Sequence, residues 1–176
     1  FFINDSTGCL ITYGGEIFRT SNSGKSFEIV YNDDTYSLDG IDFINDLKGF
    51  AVGQSGYDGN FIAKTTDGGL TWTKLPDPGG YTYFDVNFID ETHGWICGWY
   101  NTIIRTTNGG ETWQKLSGNV WSDNLFETCD FINQDTGFIG GSLDYYPYVP
   151  ALYKTFDGGV TLIPVDLPPS SKKIED

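Results

Sequence analysis

The sequence is poor in basic residues and has no long apolar run. Its 176 residues include 10 lysines and arginines against 24 aspartates and glutamates, so the formal net charge is -14. Because phosphate groups are bound by clustered cations, this balance argues against a nucleic-acid or anionic-membrane surface. No apolar run approaches the ~18 residues of a spanning helix, and the first residues lack the basic start and apolar middle of a signal peptide. We therefore predict no nucleic-acid partner and no membrane insertion.

Histidine and cysteine are too few for most catalytic or metal-binding patterns. His93 is the only histidine, so one base at most could serve a nucleophile, and the His/Cys spacing of a zinc site is absent. Cys9, Cys97 and Cys129 form an odd set that gives no disulfide framework. Each aligns with apolar residues in the repeat described below, which favours small buried hydrophobic side chains. A bridge from Cys9 to either of the others stays open, and we predict no catalytic residue, no metal site and no cofactor.

Methionine is absent, including an initiator, and the chain opens inside the strand-like run Phe1–Asn4. Both features favour a segment that was processed or excised from a longer polypeptide. A chain of this length buries roughly 70% of its unfolded surface, so a single domain is expected. Glycine (23 residues) and aromatic residues (16%) are abundant, which is typical of short strands joined by glycine turns.

The chain is rich in one repeated octet. It reads TTDGGLTW at 65–72, with copies starting at Thr106 and Thr155 and a more divergent copy at Thr20. In such an octet the Asp or Asn side chain folds back on the backbone, glycine supplies the positive φ of a tight hairpin, and the last residues start the returning strand. The predicted structural residues of the octets are Asn22, Asp67, Trp72, Asn108, Trp113 and Asp157.

A second motif, Phe-Ile-Asn/Asp-x-x-x-Gly, precedes each octet. Its copies begin at Phe2, Phe43, Phe88 and Phe131, which are 41, 45 and 43 residues apart. A period in the low forties with strand and turn composition predicts four-stranded antiparallel β-propeller blades rather than helical repeats. We predict an all-β propeller domain at 1–167, with blades at about 1–40, 41–83, 84–125 and 126–167. Residues 168–176 are predicted to be a linker or disordered tail.

Together the two motifs resemble the Asp-box, or BNR, repeat of β-propellers in sialidases, xyloglucanases and sortilin-like receptors. The chain is most similar to the photosystem II assembly and stability factor-like family, and the resemblance covers nearly its whole length. It implies a complete ring of four blades or an arc of a seven- or eight-bladed ring, of which we favour the arc. The edges of an arc would pair with further blades of the same polypeptide or with a second copy. The resemblance also implies a secreted, periplasmic or cell-surface location.

The predicted binding face is the blade end where the repeats differ most. It contains the turns between second and third strands and the links between blades, and irregular loops on a regular scaffold favour a specific site. Aromatic rings at this end suit the apolar faces of sugars and equally a protein or peptide surface. The predicted partner- or glycan-binding residues are Tyr57, Tyr81, Tyr83, Trp99, Tyr100, Trp121, Tyr145, Tyr146 and Tyr148.

Asp-box propellers include enzymes and binding proteins, so the resemblance alone does not decide between them. A sialidase needs three arginines, and this chain has only Arg19 and Arg105, both at the same repeat position. A xyloglucanase-like hydrolase needs two carboxylates across a cleft, and no local motif selects such a pair. The sequence favours a non-catalytic scaffold that binds a protein or glycan, with a segment of an Asp-box glycoside hydrolase as the alternative. The photosynthetic relatives also use a basic arginine patch, which this acidic chain lacks.

Overall fold

The computed structural model describes residues 1–55, 59–116, 119, 124–143 and 149–168. Within these ranges the chain forms fifteen strands and no helix. Accordingly, this part of the chain contains no helix with the length and apolarity needed to cross a membrane. The strands are β1 (Gly8–Ile11), β2 (Glu16–Thr20), β3 (Glu28–Asn32), β4 (Ser37–Phe43), β5 (Gly49–Ser55), β6 (Gly59–Thr65), β7 (Thr73–Lys74), β8 (Tyr81–Phe88), β9 (Gly94–Trp99), β10 (Thr102–Thr106), β11 (Gln114–Lys115), β12 (Asn124–Phe131), β13 (Gly137–Leu143), β14 (Pro150–Thr155) and β15 (Ile163–Pro164).

The strands group into four antiparallel blades. Blade 2 is β4-β5-β6-β7, and blades 3 (β8 to β11) and 4 (β12 to β15) repeat the same order. Blade 1 contains β1, β2 and β3, and an isolated bridge between Phe2 and Gly8 stands where the other blades have their inner strand. The predicted all-β architecture of antiparallel propeller blades is confirmed.

The inner strands begin before the predicted blade boundaries. β4, β8 and β12 start at Ser37, Tyr81 and Asn124, whereas the motif spacing placed the boundaries at 41, 84 and 126. In each strand a β-bulge interrupts the pairing with the second strand, for example between Leu38 and Gly40. Pairing continues on both sides of the bulge, so the residues just before each approximate boundary pair within the next blade.

All four octets fold into the same turn. The side-chain oxygen of the Asp or Asn accepts a hydrogen bond from the backbone N–H four residues later, and the first Thr hydroxyl accepts one from the second turn residue of positive φ. In the divergent octet, Ser23 takes the positive φ (59°) that Gly68 has in blade 2 (71°). The Asp or Asn bonds are Ser26 to Asn22 (3.0 Å), Thr71 to Asp67 (2.9 Å), Thr112 to Asn108 (3.0 Å) and Thr161 to Asp157 (2.8 Å).

Neighbouring blades pack through one recurring position, which we call the junction position: the residue after the glycine that opens the second strand. Phe50 holds this position in blade 2 and is fully buried. Its ring stacks on Phe88 of blade 3 at 4.6 Å between centroids and meets Trp113 edge-on at 5.9 Å. Trp95 does the same in blade 3, where it stacks on Phe131 of blade 4 at 3.8 Å.

The two remaining junction positions differ in exposure. Cys9 of blade 1 is buried in one apolar cluster with Phe43 and Trp72 of blade 2. Phe138 of blade 4 is 44% exposed, because no further described blade lies beyond it. The described residues therefore contain three filled blade junctions and one open junction face.

Candidate binding groove

The described part of the predicted aromatic face forms a groove between blades 2 and 3. The groove has a volume of about 410 Å³ and lies where the end of β5, the start of β6, the β9–β10 turn and the link from β7 to β8 meet. This is the blade end at which the repeats differ in sequence. The lining residues are Gln54, Ser55, Gly59, Asn60, Gly80, Tyr81, Thr82, Trp99 and Tyr100.

Three of the predicted aromatic residues form one contiguous cluster in this groove. Tyr81 is 56% exposed and Tyr100 is 42% exposed, and their rings meet edge-to-face at 5.0 Å. The Tyr100 ring is also parallel to Trp99, with centroids 5.1 Å apart. Such a cluster offers a large apolar contact area with hydroxyl groups at its rim, which suits a peptide chain or a sugar face.

Backbone geometry holds the cluster in place. Tyr100 and Asn101 both have positive φ (50° and 57°), as in the type I′ hairpin turn that matches strand twist. The side chain of buried Asn124 donates to Asn101 Oδ1 at 2.6 Å, and the Tyr81 N–H donates to the Thr102 hydroxyl at 3.0 Å. The rings are therefore positioned before any partner arrives, which lowers the entropic cost of binding.

Tyr83 was predicted to bind a partner, and this prediction is wrong. Its side chain is fully buried, and its hydroxyl donates to Asp77 Oδ1 at 2.5 Å. Burial, together with the hydrogen bond to Asp77, raises the pKa of Tyr83 well above its usual range. Residues i and i+2 share a face in a regular strand, but the bulge between Tyr81 and Tyr83 breaks that relation. Buried Tyr83 therefore holds the link from β7 to β8 in place through its hydrogen bond to Asp77.

Five further predicted aromatic residues lie outside the described residues: Tyr57, Trp121, Tyr145, Tyr146 and Tyr148. Conversely, the sequence prediction missed Gln54 and Thr82, whose side chains lie 3.4 Å apart at the polar side of the groove. Only the strand pairing could have found them, because neither belongs to a motif. No charged side chain lines the described groove.

Asp39 and Asp42, on inner strand β4, have perturbed protonation. Burial raises the pKa of Asp39 to about 6, and its Oδ2 is buried without a hydrogen-bond partner among the described residues. Burial also raises the pKa of Asp42 to about 6, but Asp42 accepts bonds from the backbone N–H of Phe43 (2.8 Å) and Phe88 (2.7 Å). Asp42 therefore joins blade 2 to blade 3.

Part of the chain matches the sequence model of a known protein family. The family described as photosynthesis system II assembly factor YCF48 matches residues 78–169, which is more than half of the chain. The chain belongs to this family. The match begins in the link before β8 and includes the Tyr81, Trp99 and Tyr100 cluster, so the resemblance inferred from the two motifs is confirmed. No curated protein matches the sequence significantly.

Solved structures with the same fold come from binding proteins and enzymes. YCF48 bound to D1 peptide superposes with a TM-score of 0.68 at 18% identity, covering 96% of this chain and 52% of that one. YCF48 from Cyanidioschyzon merolae gives 0.64 at 16% identity, with coverages of 97% and 56%. An ancestral GH74 enzyme gives 0.68 at 17% identity, with coverages of 94% and 25%. The chain thus spans about half the length of the YCF48 structures, and at these identities the likeness establishes the fold alone.

Proposed function

We propose that this chain is a non-catalytic binding scaffold of the YCF48 type, which holds an extended protein segment in the groove between blades 2 and 3. The observation that carries the proposal is the exposed cluster of Tyr81, Trp99 and Tyr100 beside a neutral polar wall. Family membership supports it, as does the YCF48 structure that contains a D1 peptide.

The chemistry of the groove suits a peptide. Aromatic rings fixed by a rigid turn take up apolar or proline side chains with little loss of conformational entropy, and tyrosines and tryptophans dominate binding energy at protein interfaces. Gln54 and Thr82 offer an amide and a hydroxyl to the peptide backbone. Because the described lining is uncharged, affinity should depend on apolar contact and hydrogen bonds rather than on the overall charge of -14.

The test is a titration of a fluorescently labelled synthetic D1 peptide, followed by anisotropy. We expect Tyr81→Ala combined with Tyr100→Ala to weaken binding by about thirtyfold or more, since interface tyrosines each contribute ~1–2 kcal/mol. Phe156→Ala is the matched control, because Phe156 is a similarly exposed ring (59%) in the octet turn at the opposite blade end. Raising the salt from about 50 to 500 mM should change the affinity little. The groove would be rejected as the peptide site if the double variant kept its affinity for the peptide, or if Phe156→Ala lost as much affinity as the double variant.

A glycan is the second candidate occupant, and the same aromatic cluster favours it. Stacked rings with hydroxyl groups at the rim also fit a sugar face, and the fold is shared with a GH74 enzyme. Titration with xyloglucan oligosaccharides therefore accompanies the peptide titration. If the chain binds these sugars and Tyr81→Ala abolishes that binding, the occupant of the groove is a glycan rather than a peptide. Hydrolysis of the sugar that is abolished by Asp39→Asn would show that the chain is part of a glycoside hydrolase.

The secreted, periplasmic or cell-surface location stays a prediction, which cell fractionation would test.

We also infer that the open face of blade 4 packs against another blade of the same repeat. Asn87 of blade 3 accepts the Phe131 N–H of blade 4 at 3.0 Å, and its counterpart Asp130 is exposed. The junction residue Phe138 is likewise exposed, whereas its counterpart Trp95 is fully buried.

Blade 1 presents the complementary face. Phe2 and Phe27 stand where blade 2 has Phe43 and Trp72, and they are 58% and 47% exposed rather than buried. A cavity of about 270 Å³ opens beside them, next to Cys9. The two ends of the chain therefore carry the two halves of the blade junction that is filled three times inside it.

A further inference from the structure

Three side chains with metal-ligating atoms meet where blade 3 packs on blade 4. The carboxylate of Asp85 on β8, the thiol of Cys97 on β9 and the thiol of Cys129 on β12 all lie within 4.8 Å of one another. Asp85 and Cys97 are cross-strand partners, and Cys129 reaches them from the next blade. Cys97 is fully buried and Cys129 is 4% exposed, while Asp85 is partly exposed.

The preceding blade junction shows what the scaffold itself requires at these positions. Equivalent positions follow by counting from the recurring Phe of each inner strand and from the junction residues. Between blades 2 and 3, the equivalents of Asp85, Cys97 and Cys129 are Gly40, Val52 and Val86. A Cβ built on Gly40 would lie 3.0 Å from Val52 Cγ2, and Val52 and Val86 belong to one buried apolar cluster, so this trio is closely packed. An apolar trio therefore satisfies the packing of a blade junction. At the next junction all three positions carry residues that can bind a metal ion, and blade packing alone does not require this.

We propose that Asp85, Cys97 and Cys129 bind one thiophilic divalent cation of the zinc class. Two thiolates and a carboxylate form a three-ligand set, and a water molecule would complete a tetrahedron. Zinc bonds of ~2.3 Å to sulfur and ~2.1 Å to oxygen place ligand atoms roughly 3.5 Å apart, so a small contraction of the present cluster suffices.

The surroundings of the cluster are suited to an ion. Asp85 Oδ2 accepts hydrogen bonds from the Cys129 N–H and the Thr128 hydroxyl, both at 3.0 Å, which orient the carboxylate as second-sphere contacts do in metal sites. Thr128 is exposed, so an ion can enter from that side.

Burial raises the pKa of Cys97, and the Cys97 thiol together with burial raises the pKa of Cys129. A bound cation would offset this by stabilising the thiolates.

Cobalt titration of the reduced chain tests the proposal, since Co²⁺ replaces Zn²⁺ and reports thiolate bonds by charge-transfer absorption. We expect one Co²⁺ per chain, displaced by Zn²⁺. Cys97→Val and Cys129→Val should each abolish the charge-transfer band. Asp85→Asn should weaken binding by more than about tenfold, because losing a direct ligand should cost at least as much as losing a residue that only orients a ligand. Cys9→Ser is the matched thiol control and should leave the spectrum unchanged.

The triple variant Asp85→Gly, Cys97→Val, Cys129→Val separates folding from metal binding. It copies the trio of the preceding junction, so it should fold and unfold cooperatively while Zn²⁺ leaves its Tm unchanged. Zn²⁺ should raise the Tm of the wild-type chain, because an ion that binds only the native state stabilises it. A band that persists in the triple variant or depends on Cys9 would overturn the proposal. The absence of a charge-transfer band in the reduced wild-type chain would also overturn it. This holds equally for a chain that is isolated with a Cys97–Cys129 disulfide and then reduced before the titration.

Discussion

At the scale of single residues, the octets show how one side chain secures a turn. Asp67 Oδ1 accepts from the Thr65 hydroxyl (2.8 Å) and the Thr71 N–H (2.9 Å), and Oδ2 accepts from the Thr71 hydroxyl (2.6 Å). Burial alone would raise the pKa of Asp67, but these hydrogen bonds outweigh it and lower the pKa to about 2. Asn108 makes the corresponding backbone bond without a charge. The octet therefore needs a side-chain oxygen at this position rather than a carboxylate.

Asp39 gives a pH-dependent prediction at the same scale. Its pKa is raised from 3.8 to about 6, so the native state binds the proton more tightly than the unfolded chain does. Asp39 therefore destabilises the fold progressively as the pH rises from about 4 to about 6, and the full penalty persists above that range. This rise in the pKa of Asp39 would cost ~3 kcal/mol for a fully buried carboxylate, and partial exposure reduces the cost to about 1 kcal/mol.

Asp39→Asn should accordingly raise the Tm by about 3 °C at pH 8 and leave it nearly unchanged at pH 4. Thermal unfolding followed by circular dichroism at both pH values measures this difference. Asp34→Asn, at an exposed position, serves as the control for a change in net charge. A stabilisation of equal size at pH 4 and pH 8 would show that the burial of the Asp39 charge is not its cause.

At the scale of strands and blades, the junction position decides how firmly neighbouring blades are joined. Phe50 packs so closely that a Cβ built on Gly110 of the next blade would lie 2.3 Å from its ring. Arg19 strengthens the first junction by donating to the Gly68 carbonyl at 2.8 Å, and Lys64 strengthens the second by pairing with Glu111 at 2.6 Å. Apolar contact dominates, because the exposed Glu111 pair is screened by solvent.

Phe50→Ala and Phe138→Ala form a matched pair that measures this contribution. Phe50→Ala removes a fully buried ring and should lower the free energy of unfolding by ~3–5 kcal/mol. Phe138→Ala removes a half-exposed ring at the equivalent position and should cost less than about 1 kcal/mol in the isolated chain. Urea denaturation of both variants gives the two values. Similar losses would mean that the junction position contributes through its own blade rather than through the next one.

At the scale of the whole molecule, the chain presents complementary faces at its two ends. Such an arrangement produces head-to-tail contacts, which either close into a ring or extend as a polymer. The net charge of -14 opposes association through repulsion, so salt should favour association by screening that charge. Under the packing proposed above, either further blades or a second copy of the chain would cover both faces.

We expect the isolated chain to associate at high concentration and Phe138→Glu to shift it to the monomer. Phe27→Glu, on the opposite face, should have the same effect if the contact is head-to-tail. Leu47→Glu is the control, because Leu47 is 59% exposed on the turn between β4 and β5 of blade 2, which has a neighbouring blade on both sides. Sedimentation velocity over a range of concentrations and salt measures all four proteins. A wild-type chain that stays monomeric throughout would show that these faces do not bind a second copy.

The fold was predictable because its determinants are local and repeated. Each octet encodes its own hairpin through Asp67 or its equivalents, and the recurrence of Phe43, Phe88 and Phe131 sets the blade period. The location of the aromatic groove followed from the same regularity, since Trp99 and Tyr100 interrupt it. The sequence does not reveal where a bulge shifts the register: the inner strands begin two to four residues before the approximate blade boundaries, and Tyr83 is buried rather than exposed.

The sequence by itself determined the blade architecture and the family, because hairpin turns and strand periodicity depend on residues close together in the chain. Only the tertiary structure decided which rings are exposed, which junction face is open and where Asp85, Cys97 and Cys129 meet. Those properties depend on bulges and on packing between blades, which bring together residues more than forty positions apart. No local spacing records such contacts, so the metal-ligand cluster lay outside what the sequence could predict.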